Sequence, residues 1–104
     1  MPSKLDRVHG WLNLARQGRY NARQVAALCG VSLRQLERYF NDSFGRVPQE
    51  WLNEVRFREA KKLLLKGLSV KEVASRLGFK QPTHFSRSFK QRTGRPPSKY
   101  GVRQ

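Results

Sequence analysis

Two short stretches of the sequence carry polar and basic side chains at one shared spacing, three, four and seven residues after the first. The first stretch presents Arg34, Glu37, Arg38 and Asn41, and the second presents Thr83, Ser86, Arg87 and Lys90. On a helix this spacing gathers each set on one face, away from the apolar residues of the same stretch. Arginine can bond twice to a guanine edge, glutamate can accept from the cytosine amino group, and serine or threonine can bond either way. The two faces therefore predict contacts with base edges in a major groove, and the neighbouring Gln35 and His84 are further candidates.

Some of these candidates have alternative roles. Arg38 and Arg87 occupy matching positions, so either both contact bases or both bind phosphate, and base contact is the favoured interpretation. Glu37 could instead pair with Arg34 or Arg38 and hold that side chain in place. His84 is a poor metal ligand candidate, because the other histidine and the single cysteine stand at no ligand spacing from it. No metal site is predicted.

The composition indicates a polyanionic partner. The chain has 22 Lys and Arg against 7 Asp and Glu, a formal net charge of +15, and its pI is near 11.3. Nucleic acid is the first expectation and an anionic membrane the second, while a basic but merely solvated surface is the plainest alternative. Phosphate contacts are expected from helix amino termini and from the remaining basic residues. The candidates are Arg23, Lys71, Lys80, Arg92, Arg95 and Lys99.

Capping residues locate the starts of four helices. Asn21, Ser32 and Ser69 each carry a side-chain oxygen suited to the first backbone N–H groups of a helix. Ser69 with Glu72 forms the S-x-x-E capping box, and Pro82 suits the first position of a helix.

Apolar periodicity supplies the other elements. A first helix is predicted from Leu5 to Arg16 with Leu12 facing inward, and Phe44 is assigned to the buried side of the helix that Ser32 caps. The tail holds at most one helical turn, with Tyr100 folded back onto the core. No alternation typical of strands occurs, so the predicted fold class is all-α. The single cysteine, Cys29, is expected to be a small buried residue rather than a redox switch.

The sequence contains an internal repeat. Val25, Ala26 and Gly30 recur 48 residues later, and Leu36, Arg38, Phe40 and Gly45 recur 49 residues later, as Val73, Ala74, Gly78, Phe85, Arg87, Phe89 and Gly94. The turn of the second copy is therefore one residue longer. A helix, a short turn with glycine and a second helix make the helix-turn-helix pattern, in which small residues let the helices cross closely. Two copies in register within so basic a chain predict a nucleic-acid-binding protein.

Two segments carry a resemblance to a known family. They are W-L-x-x-x-R-x-x-x-A-x-x-L-L, Trp51 to Leu64, and G-F-K-Q-P-T-H-F-S-R-S-F-K, Gly78 to Lys90, followed by G-R-P-P-S-K-Y. Over essentially its whole length the chain resembles the DNA-binding domain of the AraC/XylS family of bacterial transcription regulators. The resemblance implies about seven helices in two homeodomain-like helix-turn-helix subdomains, residues 1–47 and 68–104, joined by a linker helix over residues 48–67. Gly101 departs from the family, which usually has arginine there, and this removes one phosphate contact or salt bridge.

The linker helix, predicted from Pro48 to Lys66, does not bury a single stripe. Its apolar residues cluster on one side near Leu52 and on another near Leu64, the pattern of a helix held by two separate bodies. At 1.5 Å per residue it would be about 28 Å long, near the roughly 34 Å between successive major grooves on one face of DNA. One chain could then occupy both grooves. Arg56, between the two clusters, is predicted to be structural and paired with a carboxylate.

The leading functional prediction is sequence-specific binding of double-stranded DNA for transcription regulation, without catalysis and without a cofactor. The first alternative is a non-specific nucleic-acid-binding protein, and the second is a basic helix that binds an anionic membrane or a partner helix. An enzyme is disfavoured, because no nucleophile, metal or phosphate-loop constellation is present.

Further expectations concern the cellular setting. They are a bacterial cytoplasmic location at the nucleoid, a monomer for this fragment, RNA polymerase as a further partner of an activator, and no membrane partner. The resemblance is compatible with a whole protein and with the carboxy-terminal domain of a longer regulator.

Overall fold

A computed structural model describes Leu5 and residues 10–100. Six α-helices occur in this part of the chain. They are α1 (Trp11–Gln17), α2 (Ala22–Cys29), α3 (Leu33–Phe44), α4 (Pro48–Leu65), α5 (Val70–Arg76) and α6 (Pro82–Thr93), followed by a 3₁₀ helix (Pro97–Lys99). No strand occurs among the residues described, and the all-α prediction is confirmed.

The chain divides into two compact units, one ending at Val55 and the other beginning at Arg56. The division lies within α4, so this helix contributes its first residues to unit 1 and its last residues to unit 2. The apolar side chains of α4 follow the same division. Leu52 and Val55 are buried in unit 1, and Phe57, Ala60 and Leu64 are buried in unit 2. The two apolar clusters of the linker sequence predict this division.

Local sequence explains the starts of the helices in unit 1. Asn21 Oδ1 accepts from the backbone N–H of Gln24 at 3.1 Å and so caps α2. At α3 the capping is reciprocal, because Ser32 Oγ accepts from the N–H of Gln35 while Gln35 Oε1 accepts from the N–H of Ser32. These bonds satisfy amide groups that have no partner inside the helix.

The predicted first helix is wrong at its start. Helix α1 begins at Trp11, directly after Gly10, whose backbone is left-handed with φ 71°. A right-handed helix cannot continue through a residue in that conformation. Residues 6–9, including Val8, lie outside the described residues. Leu12, predicted to face inward, is 50% exposed, whereas Ala15 is fully buried.

The core of unit 1 combines small residues at the helix crossing with a group of aromatic rings. Ala26 and Leu36 are buried where α2 meets α3. The ring of Phe40 lies 5.2 Å from that of Trp11 and 5.8 Å from that of Trp51. Phe44, predicted to be buried, is 52% exposed because it lies in the last turn of α3, although its ring still contacts Phe40 at 5.1 Å.

A side-chain amide joins the start of α4 to the loop between α1 and α2. Gln49 Nε2 donates to the carbonyl oxygen of Tyr20 at 2.8 Å, and Gln49 Oε1 accepts from the backbone N–H of Ala22 at 2.8 Å. The same Nε2 also donates to Asn53 Oδ1 at 3.1 Å. In the loop, Arg19 and Tyr20 have positive φ angles of 55° and 59°, which non-glycine residues rarely adopt. Gln49 thus holds a loop whose backbone is unfavourable.

Unit 2 repeats the helix-turn-helix with different aromatic residues. Ser69 and Glu72 form the predicted capping box at α5, and Pro82 occupies the first turn of α6. Phe85 and Phe89 are fully buried, and their rings contact the buried ring of Phe57. Tyr100 lies against Phe89 with ring centres 5.5 Å apart, which confirms that Tyr100 folds back onto the core.

The backbones of the two turns match as the repeat predicts. The N–H of Val31 donates to the carbonyl of Ala26 at 3.0 Å, and the N–H of Phe79 donates to the carbonyl of Ala74 at 2.9 Å. Gly30 and Gly78 have positive φ angles of 71° and 80°, a conformation that favours glycine. Each unit therefore contains one helix-turn-helix motif.

Candidate nucleic-acid interface

Helix α3 presents one polar face to solvent. With Leu36 and Phe40 buried, the opposite side carries four exposed side chains. They are Arg34, Glu37, Arg38 and Asn41. The structure thus brings the first predicted set together on one accessible face, in a geometry suited to a groove.

Two details of α3 modify the sequence interpretation. The side-chain oxygen of Gln35 is bonded to the N–H of Ser32, so this candidate has a capping role in the structure. Within the part of the chain described, Glu37 forms no ion pair with Arg34 or Arg38, so the predicted ion-pair alternative is not observed. The Glu37 carboxylate is exposed beside both arginines.

Helix α6 presents the second set. Thr83, His84, Arg87 and Lys90 are exposed, and Ser86 is half-buried beside the core residues Phe85 and Phe89. The Thr83 hydroxyl lies 3.4 Å from Gln81 Oε1, a long hydrogen bond. Ser86 has the least accessible side chain of the second set, whereas Thr83 and Arg87 stand clear of the unit's core.

The six predicted phosphate-binding residues are all exposed. Arg23 and Lys71 occupy matching places in the first turns of α2 and α5, where backbone N–H groups also favour anions. Arg92 lies in the last turn of α6, with its guanidinium carbon 5.3 Å from the centre of the Phe57 ring. Lys80, Arg95 and Lys99 lie in the segments that flank α6.

Arg56 has two contacts that the sequence did not indicate. Its Nε donates to the carbonyl oxygen of Leu77 at 3.0 Å, and its guanidinium carbon lies 3.6 Å from the centre of the Phe79 ring. The hydrogen bond satisfies the carbonyl of Leu77, the C-cap residue of α5, and the contact with the Phe79 ring is a cation–π interaction. These contacts support the structural role that was predicted for Arg56, and the predicted carboxylate is not one of these two partners.

Gln49 is a positioning residue that sequence reasoning missed. Its bonds to Tyr20 and Ala22 connect α4 with the start of α2, the first helix of the motif. The partners are backbone groups 27 and 29 residues away. No sequence pattern marks such a contact. In the same unit Arg46 makes a two-pronged ion pair with Glu54, and this bond raises the pKa of Arg46.

The remaining chemistry of the described residues is limited. They include no group of three or more His, Cys, Asp and Glu side chains that could hold a metal ion. Cys29 is partly buried, and burial raises the pKa of its thiol, so the thiolate is disfavoured. Among the helices of the described part, none is long and apolar enough to cross a membrane.

Comparison with known proteins identifies the family. A family model described as a helix-turn-helix domain matches residues 25–103. The chain is 39% identical over 74 residues to the HTH-type transcriptional regulator GlxA of Rhizobium meliloti (strain 1021), covering 70% of this chain and 23% of that protein. It is 35% identical over 89 residues to the HTH-type transcriptional activator RhaS of Escherichia coli (strain SE11), covering 85% of this chain and 32% of that protein.

The chain thus spans between 23% and 32% of the length of these relatives. Both relatives are named as regulators of transcription, in agreement with the prediction of a protein that is not an enzyme.

Solved structures agree with the family. A transcriptional regulator of Chromobacterium violaceum with an AraC-type DNA-binding domain matches with a TM-score of 0.70 and 27% identity, covering 94% of this chain and 88% of that one. The C-terminal domain of AraT, a response regulator of Geobacillus stearothermophilus, matches with a TM-score of 0.71 and 28% identity, covering 91% and 86%. The chain belongs to the AraC/XylS family of transcriptional regulators, and it is the family's DNA-binding domain with two helix-turn-helix motifs.

Proposed function

We propose that this chain binds double-stranded DNA at specific sequences to regulate transcription, with α3 and α6 as its two recognition helices. One observation carries the proposal. Two helix-turn-helix motifs in a chain of net charge +15 each present an exposed face that mixes basic, acidic and neutral polar side chains. The family membership supports the same function.

The mixture on these faces favours specific over non-specific binding. A protein held to DNA by charge alone gains nothing from the Glu37 carboxylate on a face that meets phosphates. A carboxylate can, however, accept from a cytosine amino group, and Arg38 and Arg87 can each bond to a guanine edge. Asn41 and Thr83 add groups that bond to adenine or contact the thymine methyl.

The recognition helices are proposed to enter successive major grooves on one face of the DNA. The support is the sequence repeat and the length of the helix between the motifs. Helix α4 has 18 residues, and at 1.5 Å per residue this is about 27 Å, of the same order as the roughly 34 Å between successive grooves. A single chain would then bind a site without two-fold symmetry, as a monomer.

The proposed setting follows from the relatives. RhaS is named as a transcriptional activator, and so is NphR of Rhodococcus sp. The chain is 38% identical to NphR over 77 residues, covering 73% of this chain and 23% of that protein. We therefore include activation, with RNA polymerase as a protein partner, in the proposed function. A bacterial cytoplasmic location at the nucleoid belongs to the same proposal.

The test is selection of bound duplexes from a random pool, with the wild-type chain and with Arg38→Ala and Arg87→Ala. Arg58→Ala, an exposed arginine of α4 outside both faces, is the matched control. Each recognition-helix variant should lose preference in its own block of base pairs, and the two blocks should lie about one helical turn apart.

The alternatives give different results. Uniform weakening at all positions would make both arginines phosphate contacts. Equal affinity of the wild-type chain for selected and random duplexes would support a non-specific binder. An affinity for duplex DNA that does not fall with salt would contradict the proposed phosphate contacts, since a protein that neutralises six to ten phosphates should lose roughly 10³ to 10⁵ in affinity between 50 and 200 mM salt.

A further inference from the structure

Unit 2 contains a cavity at the turn between α5 and α6. Its volume is about 360 Å³. The lining residues are Arg56, Gly78, Phe79, Lys80, Gln81 and His84. Arg56 comes from α4, His84 from the first turn of α6, and the others from the turn itself. The cavity therefore brings together three elements of one unit.

The chemistry of this lining favours an anion. Three of the described lining residues, Arg56, Lys80 and His84, carry or can acquire a positive charge, and none is acidic. Lys80 and His84 are exposed, so their nitrogen atoms are accessible to a ligand from solvent. Histidine changes its charge near neutral pH and donates from both ring nitrogens when protonated.

Arg56 gives the cavity a positive charge of fixed position. Its Nε donates to the Leu77 carbonyl at 3.0 Å, and the guanidinium carbon lies 3.6 Å from the centre of the Phe79 ring. These contacts hold the guanidinium at the wall of the cavity. A group that is already ordered loses less conformational entropy on binding a ligand than a mobile surface side chain would.

The cavity lies at the longer of the two helix-turn-helix turns. In unit 1 only Val31 and Ser32 separate Gly30 from α3, and Ser32 caps that helix. In unit 2 three residues, from Phe79 to Gln81, separate Gly78 from α6, and Gln81 makes no side-chain cap bond. The additional residue gives a turn that supplies Lys80 and Gln81 to the cavity lining.

We propose that this cavity binds one phosphate group, a phosphodiester of the DNA backbone, between Lys80, His84 and the fixed Arg56 charge. The proposal rests on the proposed DNA-binding function and changes one assignment within it: His84 becomes a phosphate contact rather than a base reader. Thr83, the neighbour of His84 on α6, remains on the base-reading face. A phosphate held at this place would set the register of α6 in its groove, as backbone contacts do.

The test uses the full chain and a duplex recovered from the selection described above. Lys80→Gln and His84→Gln are measured singly and together, and Lys61→Gln removes the same charge from an exposed position of α4 outside the cavity. Each cavity variant should weaken binding roughly tenfold, the effect of losing one charge-assisted hydrogen bond. Lys80→Gln should also reduce the slope of log affinity against log salt concentration by about one, and Lys61→Gln should leave this slope unchanged. Because both side chains would bind one phosphate, the effects of the two substitutions should be less than additive.

Two arms distinguish the source of the phosphate. In the first, single methylphosphonate linkages remove the charge of one backbone phosphate at a time. One position should weaken the wild-type chain and have no effect on the double variant, and this result assigns the site to DNA. In the second, pyrophosphate is titrated while the amide signals of residues 78–81 are followed by NMR. If pyrophosphate causes saturable changes in these amide signals and no methylphosphonate position weakens DNA binding, the site is assigned to a free phosphate compound instead.

The two proposals fail in different ways. If the wild-type chain binds the duplex, the cavity variants match Lys61→Gln in affinity and in salt dependence, and pyrophosphate causes no shift, the phosphate site is overturned. If the wild-type chain binds no duplex, DNA binding is overturned, and the pyrophosphate titration still decides whether the cavity holds a phosphate.

Discussion

The two units of this protein share a helix-turn-helix but are stabilised by different contacts. In unit 1 a polar side chain, Gln49, joins α4 to the loop before α2 by hydrogen bonds to backbone groups. In unit 2 a basic side chain has this place, because Arg56 joins α4 to the end of α5 by a hydrogen bond to the Leu77 carbonyl and to the turn by a cation–π contact with Phe79. The residue that matches Gln49 in the repeat, 49 positions later, is Ser98, an exposed residue of the 3₁₀ helix.

The difference separates what the motif requires from what each unit adds. The motif requires small residues at the helix crossing, a glycine in the turn and a large apolar residue between the helices. Both units meet these requirements with Ala26, Gly30 and Leu36 or with their counterparts. The contacts that join the motif to α4 are not repeated, so they should respond differently to substitution.

The largest effect is expected at Phe85. This side chain is fully buried among the rings of Phe57, Phe79 and Phe89. Phe85→Ala should lower the free energy of unfolding by about 3–5 kcal/mol, because the cavity left behind cannot be filled by rigid neighbouring rings. Both tryptophans, Trp11 and Trp51, lie in unit 1. In urea, the circular dichroism transition should therefore move to lower concentration than the tryptophan fluorescence transition.

Leu36→Ala is the matched substitution in unit 1, since Leu36 holds the same place in the repeat and is equally buried. This substitution should lower the free energy of unfolding by about 2–5 kcal/mol. The tryptophan fluorescence transition should then move to a lower urea concentration than the circular dichroism transition. Identical shifts of both signals in both variants would show that the two units unfold as one, and would remove the distinction drawn between them.

A smaller effect is expected at Gln49. Gln49→Ala removes three hydrogen bonds and leaves the backbone N–H of Ala22 without this acceptor. The expected loss of unfolding free energy is about 1–3 kcal/mol, visible in the tryptophan fluorescence transition. Gln49→Glu should not restore it, because a carboxylate cannot donate to the Tyr20 carbonyl.

The control for this substitution is Gln91→Ala, an exposed residue of α6, which should change the unfolding free energy by no more than about 0.5 kcal/mol. A cost at Gln49 no larger than that of the control would mean that the amide bonds do not stabilise the strained loop of unit 1.

The smallest effect is expected from the capping boxes and depends on pH. Bonds from the Ser69 backbone N–H and hydroxyl lower the pKa of Glu72 from its ordinary value of 4.5. A carboxyl with a lowered folded pKa stabilises the protein above its unfolded pKa, about 4.3, and this contribution is lost as pH falls through the folded value. The matching residue at α2 of unit 1 is Gln24, which does not titrate. Unit 2 should therefore lose the stability that this capping box contributes on acidification below about pH 4.5.

Urea midpoints measured by circular dichroism between about pH 6 and pH 3 check this prediction, since the carboxyl titrates in that interval. Glu72→Gln should flatten the dependence. Glu37→Gln, which removes an exposed carboxylate of α3 that takes part in no capping box, should leave it unchanged. An equally steep dependence in Glu72→Gln would show that other carboxylates dominate the acid response.

Much of the fold was predictable because its signals are local. The caps at Asn21, Ser32 and Ser69 are confirmed, since a capping side chain bonds to an amide only three residues away. The buried positions Leu36 and Phe85 follow from helical spacing and from the repeat. The exposed polar faces of α3 and α6 follow from the same spacing, because the opposite side of each helix is apolar.

The errors arose where a local pattern did not determine the surroundings. Leu12 and Phe44 have the correct spacing for burial, but each is half-exposed, because spacing defines a face and not the presence of a neighbour that covers it. The start of α1 was misplaced because apolar periodicity continues through Gly10, whereas the left-handed backbone there interrupts the helix.

The sequence by itself determined the fold class, the two motifs, their order and the polar faces of α3 and α6, since each depends on residues within one or two helical turns. Only the tertiary structure placed Gln49 against the Tyr20 carbonyl and gathered Arg56, Lys80 and His84 around one cavity. These groups lie between 4 and 29 residues apart along the chain. Their approach depends on how whole helices pack, which is a sum of many small contacts that no single spacing encodes.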